Sequence, residues 1–184
     1  MKKPLIASAV SALALVAAGC GGSDESTSAS PSASPTDEWA DGFCTAITTW
    51  TDSIQSVTER FTDLSSFSQE GLEEAANDVK GATDDLVDDL QGLGAPDTES
   101  GQAVKDSIDE LTSTFESEVA TIEDTAQGVS GLTAIPGAVT SITASITAMS
   151  TAFSSTFQTL EDADVEGELQ TALDDSPACA GISS

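Results

Sequence analysis

Apolar side chains recur three or four residues apart in four successive stretches of this chain, and that periodicity limits it to an all-α fold. In the first stretch they are Trp39, Phe43, Ile47, Trp50, Ile54, Val57, Phe61 and Leu64. Their steps of 4, 4, 3, 4, 3, 4 and 3 put all of them on one face of a long helix. The second stripe is Leu72, Ala75, Ala76, Val79, Thr83, Leu86, Leu90 and Leu93. Its outer face is acidic, with Glu73, Glu74, Asp78, Asp84, Asp85, Asp88 and Asp89. The third runs Val104, Ile108, Leu111, Phe115, Val119, Ile122, Ala126 and Val129. The fourth runs Leu132, Ile135, Val139, Ile142, Ile146, Met149, Phe153, Phe157 and Leu160. No stretch alternates with the period of two that a half-buried strand requires.

Punctuation between the stripes supports the same reading. Thr36 is expected to cap the first helix, with Asp37 and Glu38 at the positive end of its dipole. Gly92, Gly94 and Pro96 end the second helix, and Asp97 or Thr98 is expected to cap the third. Gly128 and Gly131 frame the end of the third, and Pro136 falls in the first turn of the fourth, where proline is tolerated. A short last helix is expected over residues 168–174, stopped by Ser176-Pro177. Four helices of about 25–30 residues, each about 40 Å long, joined by short connections give an up-down-up-down four-helix bundle over residues 37–184.

The bundle is preceded by two stretches of different character. After Met1-Lys2-Lys3 comes an uncharged, mostly apolar run from Leu5 to Ala18, shorter than the about 20 residues that a membrane span needs. A basic start, a run of that length and small residues at its end are the parts of a secretory signal peptide. Ala17-Ala18-Gly19-Cys20 resembles a bacterial lipobox, with Ala17 where leucine is usual. The resemblance implies removal of residues 1–19 and attachment of palmitate-type acyl chains to Cys20. Each buried methylene of such chains contributes about 0.8 kcal/mol of membrane affinity. Gly21 to Thr36 reads GGSDESTSASPSASPT, which has no apolar periodicity and is expected to be a flexible tether. By the Gly/Ser coil estimate it spans about 20–25 Å.

Charge sets limits on partners. The whole chain carries 5 basic and 32 acidic side chains, for a formal charge of −27. Lys2 and Lys3 would leave with the signal peptide, so Arg60, Lys80 and Lys105 would remain against 32 acids, a charge of −29. Phosphate backbones need a Lys/Arg footprint, so nucleic acid is excluded as a partner. An anionic bilayer would repel this domain too, leaving the lipid on Cys20 as the membrane contact.

With Cys20 assigned to lipid, Cys44 and Cys179 remain as an even pair. In an exported chain such a pair is expected to form a disulfide. It would close a loop of 135 residues, worth about 4–5 kcal/mol in the chain-entropy model. The topology agrees independently: the start of helix one and the residues after helix four lie at the same end of an up-down-up-down bundle.

Residues able to do chemistry are scarce. The chain has no His and no Tyr, so a serine nucleophile would lack its usual base. Phosphate-cradling glycine motifs are absent. Catalytic residues, cofactor and metal are all expected to be none. The nearest approach to a metal motif is Asp162, Asp164, Glu166 and Gly167, which resembles the first half of an EF-hand loop. Position twelve, where a bidentate Glu belongs, is Leu173, so an acidic turn is the better reading.

The most informative surface feature is an absence. From Thr125 to Leu160, 36 residues, no side chain is charged. Behind its apolar stripe helix four carries Thr140, Thr143, Thr147, Ser150 and Ser154, among other hydroxyls. Their abundance disfavours a membrane span. Two readings of this face stand. In one it is packed between neighbouring helices with its hydroxyls bonded to its own carbonyls. Alternatively it docks another protein, since interface centres are depleted of charge.

The signal segment, the stretch Phe43-Cys44-x-Ala46-Ile47-x-x-Trp50 and the late Cys179 together resemble the small helical lipoproteins of actinobacteria. That resemblance covers architecture and implies an extracytoplasmic, lipid-anchored location. It carries no functional residue across. The function expected is a protein-interaction or envelope-associated module. The alternative is a bundle that binds a small hydrophobic ligand among Phe61, Phe115 and Phe153.

Overall fold

Five α-helices build the domain in a computed structural model that describes residues 33–61, 68–164, 167–180 and 182. The signal segment, Cys20, the tether to residue 32 and Leu64 lie outside the described residues. Helix α1 spans Pro35–Arg60, α2 Gln69–Leu93, α3 Gly101–Gln127, α4 Ile135–Ala163 and α5 Glu168–Asp175. Short 3-10 turns at Leu132–Ala134 and Pro177–Cys179 precede α4 and follow α5. Among the described residues there is no strand.

The start of α1 departs from expectation. Ser34, not Thr36, is the cap: its hydroxyl accepts from the Asp37 N–H at 3.1 Å, and the Asp37 carboxylate accepts from the Ser34 N–H at 2.8 Å. Thr36 lies inside the first turn, buried, and donates to the Asp97 carbonyl at 3.4 Å. The shift follows from Pro35, whose fixed φ and missing N–H suit the first helical position. Helix α3 also starts late. Neither Asp97 nor Thr98 caps it; the Pro96 and Thr98 carbonyls instead take the N–H groups of Thr98 and Gly101 in a tight turn. Gly101 is required there, because a Cβ would stand 2.1 Å from the Pro96 carbonyl oxygen.

The helices run up, down, up and down, with α1 against α2, α2 against α3 and α3 against α4. The stripes meet in one core, in which Phe43, Ile47, Leu72, Val79, Leu111, Phe115, Ile142 and Met149 lose essentially all contact with solvent. Trp50 stacks at a tilt on Phe115 with ring centroids 5.0 Å apart, and its indole N–H donates to the Thr83 hydroxyl at 3.1 Å. That bond explains why a threonine stands in the second apolar stripe: the buried indole needs an acceptor.

The fourth seam differs from the other three. The backbones of α1 and α4 do not approach closely along their length. The first half of α1 is covered by α5 and the turn after it. Leu169, Ala172 and Leu173 bury the inner side of α5. Cys44 and Cys179 stand at disulfide distance under this cover, with α-carbons 5.0 Å apart and both side chains buried. The returning chain thus does at one end of the seam what a directly packed helix would do.

Candidate interaction surface

Helix α4 presents the uncharged face to solvent. Thr140, Thr143, Thr147, Ser150 and Ser154 are all exposed, as are Ala144 and Thr151 between them. Their positions follow from the stripe on the opposite side, where Val139, Ile142, Ile146 and Met149 are buried against α3 and the core. Four of the five named hydroxyls bond back to their own helix, as expected. Thr140 donates to the Pro136 carbonyl at 2.9 Å, Thr147 to Thr143 at 2.8 Å, Ser150 to Ile146 at 3.1 Å and Ser154 to Ser150 at 3.0 Å. The expected packing between two neighbours is not found: α4 has α3 along one side, while α1 stands off along the other. With their protons already committed, Thr140 and Thr147 present methyl groups and oxygen lone pairs outward, and Ser150 and Ser154 lone pairs. A partner can therefore cover them without orphaning a donor.

Two features of this region were not legible in the apolar pattern. Leu132 belongs to the stripe by spacing, yet it is 74% exposed. Gly131, at φ 85°, turns the chain before the 3-10 turn, so Leu132 is out of phase with α4. Phe153 and Phe157 are only half-buried; they touch each other at 6.2 Å, and Phe153 reaches Phe43 of α1 at 6.3 Å across the open seam. Beside them a crevice of about 440 Å³ opens between α1 and α4, lined by Ile47, Trp50, Ile54, Ser150, Phe153 and Ile182. Of the phenylalanines expected around a ligand, Phe115 is consumed by Trp50, Phe61 is buried at the end of α1, and Phe153 alone lines this crevice.

Charge is distributed very unevenly around the bundle. The acids of α2 point outward on the helix diagonal to α4. Among the described residues the three basic side chains are already paired: Arg60 with Asp78, Lys80 with Asp84 at 2.8 Å and Lys105 with Asp109 at 2.5 Å. The hydrogen bond to Asp84 holds the Lys80 ammonium above its ordinary pKa; partial desolvation opposes this, and the charges of Asp84 and Glu123 reinforce it. Among the described residues no group of three or more Cys, Asp or Glu side chains could hold a metal ion. Asp164 of the EF-hand-like turn accepts from the Gln170 N–H at 2.8 Å and so caps α5; Glu166 lies outside the described residues.

The segment from Leu132 to Ala163 is long and apolar enough to cross a bilayer by length and composition, with a mean hydropathy of 1.3 over its most apolar 18 residues. Its buried stripe and hydroxyl-rich outer face are those of a core helix with one side in water. Comparisons with protein-family models, with curated proteins and with solved structures found no match for this chain.

Proposed function

We propose that this chain is an extracytoplasmic lipoprotein, held on the cell membrane through lipid on Cys20, whose helical domain works by binding a protein partner in the envelope. The observation that carries the binding role is the exposed, uncharged face of α4 on a chain of formal charge −27. Interface centres are depleted of charge, and this face carries none on a chain otherwise rich in acids. The anchor rests on the apolar run that stops at Gly19-Cys20. The placement of Cys44 and Cys179 at disulfide distance favours an oxidising compartment. Binding rather than catalysis fits a chain with no His or Tyr and with its three basic side chains outside the signal segment committed to carboxylates.

Two variants test the two halves of this reading. Cys20→Ser should release a folded bundle into the medium; retention on the membrane fraction would show that the domain has its own affinity for the surface. Ser154→Lys should keep the thermal midpoint and helical signal of the parent while removing whatever crosslinks to α4 on intact cells. Unfolding of that variant, or an unchanged crosslink pattern, would remove α4 as the binding face.

A further inference from the structure

We propose that the crevice between α1 and α4 is a ligand site for a small amphiphilic amine, whose apolar body lies in the seam and whose ammonium meets Asp52. Such binding does not depend on a protein partner at the outer face of α4.

The site exists because the bundle is left open along one seam. On α1, the cover supplied by α5 and the turn after it reaches only the first half of the helix. Thr48 marks the edge of that cover, where its hydroxyl donates to the Ala178 carbonyl at 3.5 Å. Beyond it lies the crevice of about 440 Å³. The buried Ile47, Trp50 and Ile54 of α1 form its floor, and the half-buried Phe153 and Ile182 its sides. Volumes of about 300–1,000 Å³ lined by aliphatic and aromatic side chains are those of small-molecule pockets. A helix, about 10–12 Å across, would fill this one within about a single turn, so the space suits a small molecule better than a peptide helix.

The polar groups around the crevice select the head of the ligand. The Trp50 indole N–H is spent on Thr83 inside the core. The Thr48, Ser150 and Ser154 protons go to main-chain carbonyls. Thr51 apart, the lining side chains therefore offer acceptors, and their one charged group is the Asp52 carboxylate. Asp52 is exposed; among the described residues it has no basic partner, and no Lys or Arg lines the crevice. A carboxylate or phosphate head would meet acceptors and the field of a chain of charge −27. An ammonium brings three donors, no acceptor and the opposite charge. The apolar body displaces water that Ile54, Phe153 and Ile182 cannot bond. A bare inorganic cation gains nothing from that floor and is drawn equally to the acids of α2.

The test uses the full-length chain carrying Cys20→Ser, so that neither attached lipid nor detergent competes for the probe. Octylamine is the probe, compared with octanol, octanoate and ethylamine by tryptophan fluorescence and calorimetry. Octylamine should bind one to one, octanol more weakly and octanoate most weakly, and ethylamine should not displace it. Asp52→Asn should weaken octylamine about two- to fivefold, as loss of an exposed ion pair does, and leave octanol unchanged. Ser150→Trp, which sets bulk into the crevice from an exposed position, should remove both while the helical signal stays. Absence of saturable octylamine binding overturns the proposal, as does displacement by ethylamine or equal affinity for octanoate. Octylamine binding that neither variant changes places the amine elsewhere and overturns it too. Loss on Ser150→Trp without any effect of Asp52→Asn overturns the amine assignment and leaves the crevice a site for uncharged apolar molecules.

Discussion

Single side chains here are held by contacts whose removal has a calculable sign. The Trp50 indole donates to Thr83 inside the core. Thr83→Val keeps the shape but strands that N–H, at a cost of about 1–3 kcal/mol. Thr83→Ser retains the acceptor and should lose less. Denaturant titrations of the two variants separate the orphaned donor from the lost methyl. Gly101→Ala should be more damaging than its size implies. The new methyl group would meet the Pro96 carbonyl, a backbone atom that cannot rotate away. The α2–α3 turn must move, and the midpoint should fall by an amount corresponding to about 1–3 kcal/mol of overpacking. An unchanged midpoint would show that the turn is looser than its hydrogen bonds imply.

Elements are fixed by their ends as much as by their stripes. Ser34→Ala removes the side-chain cap of α1 and should cost about 1 kcal/mol. Lys80 makes a prediction within α2. Its folded pKa is raised above the ordinary 10.5 by Asp84. Its stabilisation is therefore complete below the unfolded value and is lost as pH climbs through the folded one. Lys80→Gln should flatten stability against pH in that alkaline range, by a small amount because the pair is largely in solvent. For α4, the phase of the helix decides the surface. It begins at Ile135, so Ile135, Val139 and Ile142 point inward while Leu132, one turn earlier by spacing, does not.

At the scale of the molecule, the seam between α1 and α4 depends on the returning chain. Replacing Cys44 and Cys179 with alanine should destabilise the domain by about 2–5 kcal/mol and loosen α5 first. Hydrogen exchange would show faster exchange over residues 168–180 before the core of α3 responds; uniform loss of protection would mean that the bridge stabilises the bundle as a whole. Added salt should raise the thermal midpoint, because the charge of −27 works against compaction. The amino-acid sequence by itself determined that there are four long helices, most of the residues each buries, and that the fourth carries no charge before Glu161. These are consequences of helical periodicity, a local property repeated along the chain. It also paired Cys44 with Cys179, because up-down-up-down topology brings the two ends of such a bundle together. Only the tertiary structure decided that α4 shows its hydroxyl face to water rather than to α1, that Leu132 falls outside the core, and that Phe153 and Phe157 remain half-covered. Those outcomes depend on how far apart two helices stand when a third piece of chain is wedged beside one of them, and spacing along a single helix carries no information about that distance.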